Sequence, residues 1–235
     1  MVRWILNVLA FSAVMFGVTA CGGRDASSIN GLSADDAAQL NSERSTSWDS
    51  EDPPIRAQTH IAAGQLAESQ GDYSSAITQY KKAIALDSQS SLAVYRMGIV
   101  YSQMRAYPDA INAWTTYSRM TGGAPEASAN LGFAYELSGD AGSAANTYQT
   151  GIAKSPKHTG LRVNYGLMLA RSGKVDEARQ QLAAVLSDAQ NHYNIGSVYE
   201  IQGRKELARQ EYIQAIQADP NFLDARSRLA TLDHN

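Results

Sequence analysis

Residues 130–148 read NLGFAYELSGDAGSAANTY. Gly132 interrupts an apolar run, Gly139-Asp140 breaks the chain, and Ala144 with Tyr148 opens a second apolar run. The same design recurs along the chain. Gly64, Gly98, Gly132, Gly166 and Gly196 are spaced 34, 34, 34 and 30 residues apart, and Ala76, Ala110, Ala144, Ala178 and Ala208 keep step. Four residues beyond each of these alanines stands a large side chain: Tyr80, Trp114, Tyr148, Leu182 and Tyr212. A period near 34 with a small residue in each half predicts a unit of two closely packed helices, and such units stack into a solenoid.

The punctuation agrees with this reading. Gly71-Asp72, Gly139-Asp140, Gly173-Lys174 and Gly203-Arg204 separate the two helices of a unit, with Arg105-Ala106 in the second unit. Glycine there takes the left-handed conformation that ends a helix. Asp87-Ser88, Ser155-Pro156 and Asp219-Pro220 close the second helices. The fourth unit is four residues short, about one helical turn, which predicts a local change of pitch before the fifth. Residues 222–233 repeat the first-helix pattern once, with Leu229-Ala230 in place of Leu-Gly, and read as a cap on the last apolar face. With 44% apolar residues and no strand-like alternation, the expected class is all-α, a solenoid of about five helix pairs plus a capping helix.

These residues resemble the tetratricopeptide repeat, whose signature is a Leu-Gly pair, a Tyr three residues later, Ala and an aromatic in the second helix, and a closing Pro. Leu131-Gly132, Tyr101, Tyr135, Tyr199 and Pro220 carry that likeness over residues 57–222. It implies a right-handed superhelix whose groove is lined by the first helices. Ala62, Arg96, Asn130, Asn164, Asn194 and Arg228 precede the Leu-Gly-like pairs. An amide both donates and accepts hydrogen bonds, so the asparagines form a row suited to the backbone of an extended peptide, and the two arginines suit carboxylates at either end. Tyr95, Ile99, Phe133, Val163, Leu167 and Tyr193 are the expected apolar contacts of that groove. The Lys and Asn arrangement with which tetratricopeptide co-chaperones clamp a terminal carboxylate does not appear.

The N-terminus has another character. Arg3, the apolar run Trp4 to Phe16 and the ending Val18-Thr19-Ala20-Cys21 read as a lipoprotein signal peptide over 1–20, resembling a bacterial lipobox. Cys21 is the sole cysteine and stands where lipidation requires it; an ordinary secretory leader and an uncleaved anchor are the alternatives. By that resemblance, Gly22 after Cys21 points to the periplasmic face of the bacterial outer membrane. Residues 21–56 hold the lipidated cysteine and an acidic, Ser-rich tether. Its composition buries too little apolar surface to offset ordering. Its segment 22–54, as a flexible chain, spans ~30 Å typically and ~110 Å when stretched. Ser33-Ala34-Asp35-Asp36 also has the pattern of a helix start running to Leu40.

A net charge of -3 and the absence of a basic stripe argue against a nucleic-acid partner. His60, His158, His192 and His234 lack metal-ligand spacing, and no zinc-protease, nucleophile-elbow or phosphate-loop motif occurs. Neither a cofactor nor an enzymatic activity is expected. The expected role is a protein- or peptide-binding scaffold held at a membrane through Cys21. In architecture it resembles the TadD-type lipoproteins of tight-adherence pilus assembly and, less closely, the pilotins that escort secretins. A scaffold recruiting periplasmic cell-wall enzymes is the alternative.

Overall fold

The structure is a computed structural model that describes residues 56–234. Cys21, the leader, the tether and the Ser33 to Leu40 pattern lie outside the described residues. Among those described there are eleven helices and no strand. They pair in chain order: α1 (Ala57–Ser69) with α2 (Tyr73–Leu86), α3 (Ser91–Gln103) with α4 (Tyr107–Met120), α5 (Pro125–Leu137) with α6 (Ala141–Lys154), α7 (Thr159–Arg171) with α8 (Val175–Ala183), and α9 (Asp188–Ile201) with α10 (Lys205–Ala218). A last helix, α11 (Leu223–His234), follows.

The period-34 glycines explain why each pair packs so closely. A Cβ built on Gly64, Gly98 or Gly132 would stand 2.5, 2.6 and 2.6 Å from the ring of Tyr80, Trp114 or Tyr148. At Gly196 it would lie 2.8 Å from Tyr212, and at Gly166 2.9 Å from Leu182. The first helix therefore lends bare backbone to the large residue of the second. The in-phase alanines do the same from the other side, all fully buried. Because each ring is shared with the next unit, the core is a series of neighbouring clusters rather than one centre. One joins the first and second units around Tyr80, another runs from the third to the fifth around Tyr148 and Leu182, and a third seats Ala225 and Leu232 of α11 against Tyr212.

Short caps fix the helix boundaries. Asp72 and Asp140 accept the backbone N–H of Ser75 at 3.0 Å and of Ser143 at 2.9 Å, and hydrogen bonds first from the side chains and then from the backbone of those serines hold both carboxyls below the usual carboxylate range. Ser187 and Gln190 form a reciprocal capping box at the start of α9. The four missing residues of the fourth unit come off its second helix, since α8 has 9 residues where the other second helices have 14.

The break of the second unit is the exception among the turns. Gly71, Gly139, Gly173 and Gly203 have φ between 74° and 87°, and the exposed Arg105 stands in their place at φ 58°. A side chain in that left-handed region meets the next carbonyl, at roughly 1–2 kcal/mol. Glycine relieves the clash but adds freedom to the unfolded chain. Arg105→Gly is expected to stabilise the protein by about 0.5–1 kcal/mol, read as a higher urea midpoint at unchanged slope. A lower midpoint would mean that the arginine side chain contributes more than its backbone strain costs.

Candidate peptide-binding face

The residues preceding the close-contact glycines recur on α3, α5, α7, α9 and α11, so the stack sets Arg96, Asn130, Asn164, Asn194 and Arg228 at one register, each half-buried. Their surroundings divide them. Arg96 lies 3.7 Å from Glu68 of the preceding unit. Arg228 grips Glu200 twice, through Nε at 3.1 Å and Nη2 at 2.7 Å. In both places a buried tyrosine shares the carboxylate: the Tyr80 hydroxyl donates to Glu68 at 2.8 Å and the Tyr212 hydroxyl to Glu200 at 2.6 Å. Burial raises both phenols, and donation to a carboxylate raises them further; Tyr212 is pushed up to about 12.

The third unit solves the same problem differently. Glu136 stands four residues after Gly132, as Glu68 and Glu200 stand four after Gly64 and Gly196. The next unit offers Asn164 at the usual arginine position, and Arg171 from the end of α7 takes over, with Nε at 2.8 Å and Nη2 at 2.6 Å from Glu136 Oε1. Glu136 Oε2 and the buried Tyr148 hydroxyl then lack a hydrogen-bond partner among the described residues. Asn164 is thereby left out of the inter-unit tie. This row of glutamates was readable from its spacing, but sequence analysis that followed only the small and aromatic positions passed over it.

The amides are not equivalent either. Asn194 Nδ2 donates to the Gln190 carbonyl of its own helix at 2.7 Å. Asn130 and Asn164 make no side-chain hydrogen bond among the described residues. Of the apolar candidates, Tyr95 meets Trp114 edge-on at 5.3 Å and Tyr117 at 5.2 Å, and Tyr193 meets Phe222 at 5.3 Å and Tyr212 at 5.7 Å. Both rings serve the packing between helices. Ile99 packs against the Trp114 cluster, and Val163 and Leu167 against the Tyr148 cluster. Phe133 is half-buried and joins none of the core clusters, which leaves its ring the most available of the set.

The described histidines have structural engagements: His60 with Gln79, His158 as the N-cap of α7, and His192 against Glu211. No group of three or more His, Cys, Asp or Glu among the described residues can hold a metal ion. No described helix is long and apolar enough to cross a membrane.

Paired helices packed glycine to ring and stacked in series define a superhelical repeat scaffold. Four family models match: a TPR repeat over residues 64–104 and tetratricopeptide repeats over 95–158, 136–195 and 189–222. Together they run unbroken from 64 to 222, and the chain belongs to the tetratricopeptide-repeat family. Among solved structures it is similar to YrrB, described as a TPR protein with an unusual peptide-binding site, at 26% identity and TM-score 0.51 over 79% of this chain and 96% of that one. MamA is similar at 20% identity and TM-score 0.57, over 72% and 94%. PilF of Pseudomonas aeruginosa is similar at 18% identity and TM-score 0.53, over 83% and 89%. No curated protein matches the sequence.

Proposed function

We propose that this protein is a membrane-tethered adapter whose first-helix face takes an extended, largely uncharged segment of a partner protein. The observation that carries the reading is the pair of unengaged amides, Asn130 and Asn164, at one register, together with the half-buried ring of Phe133, which joins no core cluster. Two amides at one register in consecutive units can each donate to and accept from a peptide backbone, while Phe133 and Leu167 take apolar side chains. Arg96 and Arg228, expected from the sequence to hold carboxylates, are committed to Glu68 and Glu200. An acidic group of a partner would have to displace those internal pairs, which favours a neutral segment. The peptide-binding site described for YrrB, a protein of the same fold, adds to this reading.

A photo-crosslinking residue at position 133 is expected to trap the partner, whereas one at the exposed Lys82 of α2 is not. The adduct should fade in the Asn130→Ala/Asn164→Ala background. Trapping from position 82 alone would contradict the assignment.

The lipobox-like Val18-Thr19-Ala20-Cys21 supports anchoring at the outer membrane, facing the periplasm. An anchored repeat adapter fits assistance to pilus or secretin assembly, as the resemblance to TadD-type lipoproteins implies. Cys21→Ser is expected to abolish labelling by a fatty-acid analogue and release the protein from membranes or leave it as precursor. Unchanged labelling in that variant would remove the anchor from the proposal.

A further inference from the structure

From the second unit on, the first helix of each unit turns one stripe toward the unit before it. Two residues after the close-contact glycine that stripe carries Val100, Ala134, Met168 and Val198, which are 0, 1, 9 and 3% exposed. Five residues before the glycine it carries Ala93, Ala127, Leu161 and Asn191, all buried. The capping helix α11 keeps the same register, with Ala225 and Leu232 buried against the fifth unit. On α1 the equivalent positions are Thr59 and Leu66; Thr59 is exposed, and Leu66 is 60% exposed. Ala62 and Ala63, between them, are exposed as well. At 3.6 residues per turn these four side chains fall within about 100° of arc. The first helix thus shows the face that five other helices bury, and no described residue covers it.

The two ends of the solenoid differ in charge. The outer surface of α11 carries Asp224 and Arg226, both exposed, as a terminal helix facing water requires. The stripe on α1 carries no charge at all. The ionisable side chains of that helix are engaged within the solenoid: His60 meets Gln79 at 2.8 Å, and Glu68 is held by Tyr80 and Arg96. Arg56, at the N-cap, stands beyond the end of the stripe.

We propose that α1 is the interface of a two-fold symmetric dimer, in which a second copy of this chain covers the stripe with its own. A symmetric contact sets the residues near the axis against their own copies, so a charged face repels itself and an uncharged one does not. Small side chains at Ala62 and Ala63 let two helices approach to ~8 Å, the near end of helix packing distances, while Leu66 supplies the apolar bulk. An antiparallel crossing keeps the two copies of Arg56 at opposite ends. Stacking α1 on the α11 of another copy would instead strip water from Asp224 and Arg226 and offer them no charged partner. A helix of 13 residues is ~20 Å long. One such stripe buries less than the about 1,200 Å² of a stable complex, so the dimer is weak and reversible.

The test is disulfide cross-linking of the full chain in detergent, in a Cys21→Ser background where an introduced cysteine is the only thiol. Ala63→Cys is expected to give a covalent dimer whose yield rises with protein concentration. Adding Leu66→Glu, which sets a carboxylate against its own copy, is expected to abolish that dimer; where this variant fails to fold, Thr59→Glu at the other end of the stripe decides. Lys82→Cys, exposed on α2, should give none. An undiminished dimer in both glutamate variants would overturn the proposal. Joining of Ala63→Cys to a tagged Ala230→Cys chain, whose cysteine is exposed on α11, would overturn it in favour of head-to-tail stacking. No dimer at any concentration would overturn it too, and a thiol at 63 slow toward maleimide would then assign the cover to the chain's own residues before 56. Leu66→Glu touches neither Asn130 nor Asn164, so failure of the dimer leaves the peptide-binding face standing.

Discussion

Tyr148→Ala is expected to cost about 3–5 kcal/mol, the range for deleting a fully buried ring. Tyr148 is 0% exposed, lies over Gly132, and stacks at 5.8 Å on Tyr165 of the next unit. Its loss therefore opens the joint between the third and fourth units as well as the third unit itself. In a solenoid each unit is held only by its neighbours, so the urea transition should broaden, with the two ends melting apart. Tyr148→Phe separates ring from hydroxyl. The hydroxyl is buried without a partner, and its removal is expected to be neutral or slightly stabilising. A cost for the phenylalanine variant as large as for alanine would place the energy in the hydroxyl and contradict the packing account.

Glu200→Ala is expected to cost about 2–3 kcal/mol at the C-terminal end, with the partial exposure of Arg228 and Glu200 reducing what a fully buried pair would lose. The carboxylate accepts from Tyr212 and from two nitrogens of Arg228, and the Ser197 hydroxyl, 3.4 Å from the Tyr212 hydroxyl, can take over only the phenol's bond. Amide hydrogen exchange should accelerate in α11 and the end of α10 and remain unchanged in the first two units. The phenol reports the same event. The pKa of Tyr212 is raised from 10.0 to about 12, first by burial and then by Glu200. A raised phenol favours the folded state below pH 10 and loses that contribution as pH rises through about 12. Without Glu200 the Tyr212 titration should move part of the way back toward 10, since burial, the larger cause, remains. An unmoved titration would mean that the short contact does not persist in solution.

The repeat was legible because its marks are steric. Gly132 and Ala144 recur at fixed spacing because any larger residue would collide with Tyr148 or its surroundings, and such constraints leave a periodic trace. Even the exception at Arg105 was visible, though its strained backbone was not. The face of the first helices was harder to read, because position alone does not tell which side chains the fold has already used. Arg96 and Asn130 occupy the same register, yet one is tied to Glu68 and the other is unengaged. That difference depends on a carboxylate 28 residues upstream of Arg96 and on Ser102 standing where a glutamate would face Asn130. Tyr95 and Tyr193 were drawn into packing by Trp114 and Phe222 for a similar reason.

The central claim is that Asn130 and Asn164 bind a peptide backbone, and it is tested most directly by titrating the segment cross-linked at position 133 against wild type and the folded Asn130→Ala/Asn164→Ala variant. Two neutral hydrogen bonds at about 0.5–1.5 kcal/mol each predict roughly tenfold weaker binding. Asn194→Ala should change affinity less, because that amide already serves the Gln190 carbonyl. Salt should matter little, because the arginines of the row are paired internally. Wild-type affinity in the double variant, or a steep loss of affinity with salt, would contradict the account and move the binding surface elsewhere.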